Sequence, residues 1–223
     1  MISGCYSYSG GKGWHGCFVN EPEFSSGLRY FPVEAEGFRG EIFLHDNLPL
    51  SSRDIYFHDP GNDILVLFSG YIYNRKEISR YPQLSTSDPD PVLAAQMFLK
   101  EGPDFVRRLN GDFAIFICRP ALRRAYLFRD HTGIRPISYA INDGNLIFSS
   151  DTRELCRFVE AGAAPDRFWL TGLFRYIDFV RTPSPGVKRL PPGHYLEFSR
   201  EGSRLTRFWN PQKVRTDPKM QYE

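Results

Sequence analysis

Apolar residues fall along the chain in short runs separated by clusters of Gly, Pro, Asn and Ser, the pattern of many short strands. Over the first 75 residues these runs predict strands at Cys5–Ser9, Leu28–Val33, Glu41–His45 and Asp54–Phe57. Asp63–Tyr73 (DILVLFSGYIY) is the strongest. Its apolar positions are nearly continuous, which predicts a strand covered on both faces. The period then changes. Between Pro89 and Leu109, Val92, Leu93, Met97 and Phe98 fall on one helical face, followed by Phe105, Val106 and Leu109. Gly102-Pro103 should split this stretch, and Asp88 stands where a cap would. More strands are expected at Asp112–Cys118, Ala125–Arg129, Ile137–Ile141 and Leu146–Ser149, the last two joined by Asp143-Gly144, a strong hairpin signal. Helices at about Thr152–Glu160 and Asp166–Ile177 and strands at Tyr195–Ser199 and Leu205–Phe208 complete the pattern, with a turn at Arg200-Glu201-Gly202.

Strands, a helix, many strands, helices, strands: this order lacks the β-α-β alternation of a doubly wound sheet. It predicts an α+β layered fold with mainly antiparallel sheets. One domain over residues 1–210 is expected. The polar tail 211–223 reads as a linker toward a further domain absent from this chain.

Composition sharpens this picture in few places. Aromatics reach 15%, with 19 Phe and 12 Tyr, which favours sheet. A net charge of +2 gives no ground for nucleic acid or an anionic membrane as partner. The pairs Arg107-Arg108 and Arg123-Arg124 read as solvated faces. Cys5, Cys17, Cys118 and Cys156 lack metal-ligand spacing, and the five histidines are scattered, so no metal site is expected. Ser9-Gly10-Gly11-Lys12-Gly13 lacks the spacing of a phosphate-binding loop and reads as a hairpin turn. The start, Met1-Ile2-Ser3-Gly4, is no signal peptide, and no run approaches the length of a membrane helix. A reduced, cytoplasmic protein is expected.

Six segments in fixed order carry a resemblance. Phe68-Ser69-Gly70-Tyr71-Ile72-Tyr73-Asn74 resembles N-G-E-I-Y-N, and Thr86-Ser87-Asp88-Pro89-Asp90 resembles T-x-S-D-T-E. Leu109–Ala114 resembles L-N-G-x-F-A, and Arg129–Pro136, continued by Tyr139, resembles R-D-x-x-G-I-K-P-L-Y-Y. Phe148–Asp151 resembles F-A-S-E, and Leu190–His194 with Phe208-Trp209 resembles L-P-P-G-H and Y-W. Together these resemble the amino-terminal glutamine amidotransferase domain of asparagine synthetases over residues 68–209, while residues 1–67 match poorly. The resemblance implies a four-layer α-β-β-α sandwich of the N-terminal-nucleophile type. Gly111, Gly133 and Gly144 then read as backbone devices, and Arg129-Asp130 as an internal ion pair holding the sheet to a loop.

In that family an amino-terminal cysteine attacks the amide of glutamine, its own α-amine acting as base. An Asn side chain and a Gly N–H hold the oxyanion, each such donor being worth about 3 kcal/mol of barrier. Here the start offers two registers: Ser3-Gly4 at the Cys-Gly position, which we favour, or Cys5 as nucleophile after loss of four residues. Ser69 stands for the oxyanion Asn, Gly70 follows it, and Tyr71 replaces Glu. The segment carrying the carboxylate-binding arginine has no match around Asp46–Leu50, and Arg53 is out of register. Asp88 alone persists, with a structural role as cap open to it.

The resemblance thus implies a vestigial glutamine pocket of Ser69, Gly70, Tyr71 and Asp88. The first reading is a degenerate domain beside an ATP-dependent amide-forming one. A working glutaminase processed to Cys5, and a free-standing non-catalytic binding module, stay open. Implied partners are a C-terminal synthetase domain of the same protein and glutamine, and a homodimer stays open. No cofactor is expected in this chain; ATP and Mg would belong to the downstream domain.

Overall fold

The computed structural model describes residues 1–7, 28–45, 51–80, 84–159, 166–172 and 180–213. Its strands are β1 (Ile2–Ser7), β2 (Leu28–Ala35), β3 (Phe38–His45), β4 (Tyr56–Asp59), β5 (Ile64–Ile72), β6 (Gly111–Arg119), β7 (Arg124–Arg129), β8 (Ser138–Asn142), β9 (Asn145–Ser149), β10 (Lys188–Arg189), β11 (His194–Ser199) and β12 (Gly202–Arg207). The α-helices are α1 (Arg75–Ile78), α2 (Asp90–Glu101), α3 (Thr152–Val159) and α4 (Arg167–Gly172). One six-stranded sheet runs β10-β8-β9-β1-β3-β2 and the other β12-β11-β7-β6-β5-β4. Their pairings are antiparallel.

The continuous apolar run of β5 has a simple cause. Leu65 and Leu67 point into the core between the sheets, whereas Ile64, Val66, Phe68 and Ile72 point to the other side. There they meet Leu93, Ala94, Met97 and Phe98 of α2. On the outer face of the first sheet, Cys5, Ala140 and Ile147 pack against Leu155 of α3. The layers are therefore α-β-β-α, as expected. A phenylalanine stack bridges the sheets: Phe116 of β6 lies 4.8 Å from Phe38 of β3 and 4.5 Å from Phe148 of β9, centroid to centroid. The Phe38 ring fills the space beside Gly4 and Gly40, where added Cβ atoms would fall 2.7 and 2.4 Å from it.

The Asp143-Gly144 hairpin forms as expected, with φ of 48° and 75° and Asn142 opposite Asn145. Gly102, at φ 65°, ends α2, and the remainder of the predicted helix tightens into a 3₁₀ segment, Gly102–Arg108. Asp88 is not the cap of α2. That position is Pro89, with no side-chain cap bond. Asp54 closes a short 3₁₀ turn (Ser52–Asp54) instead of opening a strand. The strand at the amino terminus begins at Ile2, three residues before the expected Cys5, because Ile2 is buried in the core between the sheets. Tyr8, Ser9–Gly13, Cys17, Asp46–Leu50, Glu160, 173–177 and 214–223 lie outside the described residues, so expectations for them stay as stated. No described helix is long and apolar enough to cross a membrane.

Candidate functional site

The candidates implied by the motifs lie at the start of β1 (Ser3), near the end of β5 (Ser69, Gly70, Tyr71) and just before α2 (Asp88). β1 is held on both sides, against β3 and β9. At its front Ile2 N donates to Ser150 Oγ at 3.0 Å, and Ser150 N donates to the Ile2 carbonyl at 2.9 Å. Ser3 stands opposite Ser149, which in turn stands opposite Ser138. Cross-strand partners share a face of a sheet, so three serines form one row beneath α3, and all three are buried. Ser138 shares a 2.7 Å hydroxyl bond with Thr152, and Ser149 donates to Glu154 at 3.0 Å. Ser3 Oγ is buried with no hydrogen-bond partner. Burial pushes the Glu154 carboxyl above its ordinary range, with the Ser149 bond opposing. Burial also pulls the Met1 amine down, Arg135 adds to this, and Glu154 opposes it.

Cys5, the alternative nucleophile, is in a different setting. It is 2% exposed and sits in an apolar cluster with Ala140, Ile147, Leu155 and Val187. It is an interior residue of β1, opposite Arg39 on one side and Ile147 on the other.

Ser69, Gly70 and Tyr71 end β5 in the second sheet, opposite Ala114, Phe113 and Asp112. Only glycine fits at 70: φ is 135°, and an added Cβ would fall 1.9 Å from the Asp112 carbonyl. Tyr71 fills no pocket. It is 46% exposed, and the Arg135 guanidinium carbon lies 5.9 Å from its ring centroid. Neighbouring Tyr73 donates its hydroxyl to Asp112 at 2.5 Å. Tyr71 has its described ring contact with Arg135, and none with Ser3. The Asp88 carboxylate accepts the Ser85 N–H at 2.8 Å, and its carbonyl accepts Arg75 at 2.7 Å.

Two features of this region were missed in the sequence. Asp90, two residues beyond Asp88, is the buried carboxylate here. It accepts the Ile72 N–H at 3.2 Å and pairs with Arg75. Burial raises its carboxyl above the usual range, with Arg75 opposing. The buried hydroxyl row was also missed, because it depends on register between strands far apart in sequence. Arg129 and Asp130 were expected to pair with one another, and this is corrected. Arg129 donates to the carbonyls of Gly133, Arg135 and Leu190. Asp130 accepts the amides of Thr132, Gly133, Ile134 and Arg135 and the Thr132 hydroxyl. Each charge separately fastens the loop 130–135. His194 bonds locally, Nδ1 lying 2.7 Å from the Pro192 carbonyl.

No described His, Cys, Asp and Glu side chains gather as a metal site would require. A cavity of about 310 Å³ lies elsewhere, lined by Asp166, Arg181, Thr182, Ser184 and Lys188 among others, and shares no residue with the motif site.

Two antiparallel sheets between helical layers define an amidotransferase-type sandwich of the N-terminal-nucleophile class. Over residues 53–209 the chain matches the family described as the glutamine amidotransferase domain, and it belongs to that family. The match does not include Ser3 or Cys5. Asparagine synthetase (glutamine-hydrolyzing) 3 of Bacillus subtilis (strain 168) is 29% identical over 160 residues, 67% of this chain and 26% of the relative. Amidase chyE of Penicillium rubens is 27% identical over 180 residues, 75% of this chain and 26% of the relative. Glutamine phosphoribosylpyrophosphate amidotransferase from B. subtilis, solved with ADP and GMP, shares the fold at a TM-score of 0.50 and 16% identity, over 77% of this chain and 35% of that one. The chain spans about a quarter of the length of the curated relatives it matches, at 26% of each.

Proposed function

We propose that the chain is the amino-terminal amidotransferase-type domain of a larger ATP-dependent amide-forming enzyme, and that its own glutamine hydrolysis is lost. The first half rests on family membership and on relatives much longer than the chain, whose matched part is 26% of each. The second rests on one observation: both candidate nucleophiles are built into a strand paired on both sides. An N-terminal nucleophile needs its attacking atom and the unblocked amine of the same residue in one place. At Ser3 the nitrogen is acylated by Ile2, which is buried and bonded through both backbone groups to Ser150. At Cys5 four residues precede the nitrogen, and the side chain is in an apolar cluster. Loss of a positioned base costs about 10²–10⁴-fold in rate. Loss of one oxyanion donor, as where Ser69 replaces the family's Asn, costs a further 10²–10³-fold, roughly. Together these leave no useful turnover.

The names of the relatives favour a second reading, a working glutaminase processed to Cys5. Intact mass of the purified chain separates the two, since that reading requires loss of Met-Ile-Ser-Gly. The direct test is ammonia release from L-glutamine by the chain and by its Ser3→Ala and Cys5→Ala variants. No release above background is expected from any of the three. Release that either substitution abolishes overturns the proposal.

A further inference from the structure

The net charge of +2 is unevenly spread. Residues 151–159, 166–172 and 180–189 share the layer outside the first sheet. Val187 packs in one cluster with Leu155 of α3, Cys156 Sγ lies 3.8 Å from Thr182 Oγ1, and Asp166 N donates to the Pro183 carbonyl at 2.7 Å. These stretches carry six cations and three acids. Each acid is engaged: Asp151 pairs with Arg153 at 3.0 Å, Glu154 accepts Ser149, and Asp166 accepts the Phe168 and Trp169 amides and faces Arg181 at 3.7 Å. Arg157, Arg167 and Lys188 are exposed and have no ion pair among the described residues. Apolar surface is open beside them. Phe168 is 66% exposed and Val180 38%, and the Arg181 guanidinium carbon lies 4.8 Å from the Phe168 ring centroid. Arg181 and Lys188, bridged as strand partners, also line the cavity of about 310 Å³ with Val180, Pro185 and Val187.

We infer that this face docks an acidic segment of a separate protein chain, with an apolar side chain of that segment seated in the cavity and against Phe168. Exposed cations around an open apolar patch supply charge complementarity and a place for a buried anchor together, the two things a peptide-binding groove needs. A second copy of this chain fits less well, because an isologous contact would set these cations against themselves. An anionic bilayer also fits less well, since the cavity wall is concave and carries the Asp166 carboxylate. The inference goes beyond the proposed function and does not depend on whether glutamine is hydrolysed.

The test follows the fluorescence anisotropy of a labelled Glu-Asp-Phe-Glu-Asp peptide titrated with the full chain. Binding is expected with a Kd on the order of 0.1 mM, as fits a contact far smaller than a standard interface. Raising sodium chloride from about 50 to about 500 mM should weaken it by about 5-fold or more. Lys188→Glu and Phe168→Ala should each weaken it by about 5-fold or more. Both side chains are exposed, so both variants should fold, which their thermal transitions check. Leu122 is exposed in the turn between β6 and β7, and Leu122→Ala should leave binding unchanged. No binding, equal binding of a Glu-Asp-Ala-Glu-Asp or a Lys-Arg-Phe-Lys-Arg peptide, an unchanged isotherm in Lys188→Glu, or a loss in Leu122→Ala equal to that in Phe168→Ala overturns the inference. So does binding to phosphatidylserine vesicles without binding to the peptide, which assigns the face to a membrane. Self-association abolished by Phe168→Ala also overturns it and assigns the face to a second copy.

Discussion

Ser3 and Ser149 are neighbours in one buried row, yet they should respond oppositely to truncation. Ser3 Oγ has no partner, so Ser3→Ala removes a desolvated hydroxyl at no cost in hydrogen bonding. It should leave stability unchanged or raise it by about 1 kcal/mol in urea unfolding. Ser149→Ala removes the donor from a buried carboxylate and should cost about 1–3 kcal/mol. If both cost the same, a water completes the bonding of Ser3 and the row is satisfied. Glu154 gives the row a pH dependence. Its carboxyl is raised above 4.5 by burial. Its contribution is therefore fully present below pH 4.5 and declines as pH rises through the raised folded value, because in that window the native state holds the proton the unfolded state has released. The stability of the wild type relative to Glu154→Gln should fall as pH rises from 4.5. A difference that grows instead would contradict the placement of this carboxylate. The candidates Ser69 and Asp88 came from motif order and Ser3 from the register of the amino terminus. The Ser138–Ser149–Ser3 row and Asp90 were not legible, because cross-strand register and burial leave no local trace in sequence.

At the scale of elements, runs of apolar residues announced the strands, and the structure moves their ends by one to three residues. The shifts have physical causes. Ile2 reads as an isolated apolar residue in sequence but is buried between the sheets. Asp54 reads as a strand end but its carboxylate accepts the Ser51 N–H and hydroxyl, which closes a turn. Asp88 reads as a cap, yet its carboxylate serves the preceding turn through Ser85. Two aspartates that look alike as motif residues should therefore differ in consequence. Asp130→Ala strips five hydrogen bonds from the loop 130–135 and leaves four amides to find water in a crowded site. It should destabilise by about 3 kcal/mol or more. Asp88→Ala loses one half-exposed bond and should cost about 0.5–1.5 kcal/mol. Thermal unfolding of the two variants side by side checks the contrast, and equal losses would mean that Asp88 has partners beyond its turn.

Across the whole molecule, the front of β1 is where fold and chemistry compete. β1 lies third from one edge of its six-stranded sheet, between β9 and β3, and so closes ladders on both sides. A processed nucleophile at Cys5 would require removal of Met1–Gly4. That removes Ile2 from the inter-sheet core, the pairings of Ile2, Ser3 and Gly4, and the snug seat of Phe38 over Gly4. Burial of Ile2 alone is worth about 1.5–3 kcal/mol. Each ladder bond lost with a buried partner left behind adds about 1 kcal/mol. Together they approach the total stability of a typical domain, about 5–15 kcal/mol. A chain truncated to begin at Cys5 should therefore unfold at a temperature lower by 10 °C or more, roughly, than the full chain. A chain beginning at Ser3 loses Met1 and Ile2 alone and should keep both ladders from Ser3 onward, with a smaller loss. Calorimetry on the three chains orders them. Were the Cys5 start as stable as the full chain, the front of β1 would be dispensable to the sandwich, and the structural objection to a processed nucleophile would disappear with it.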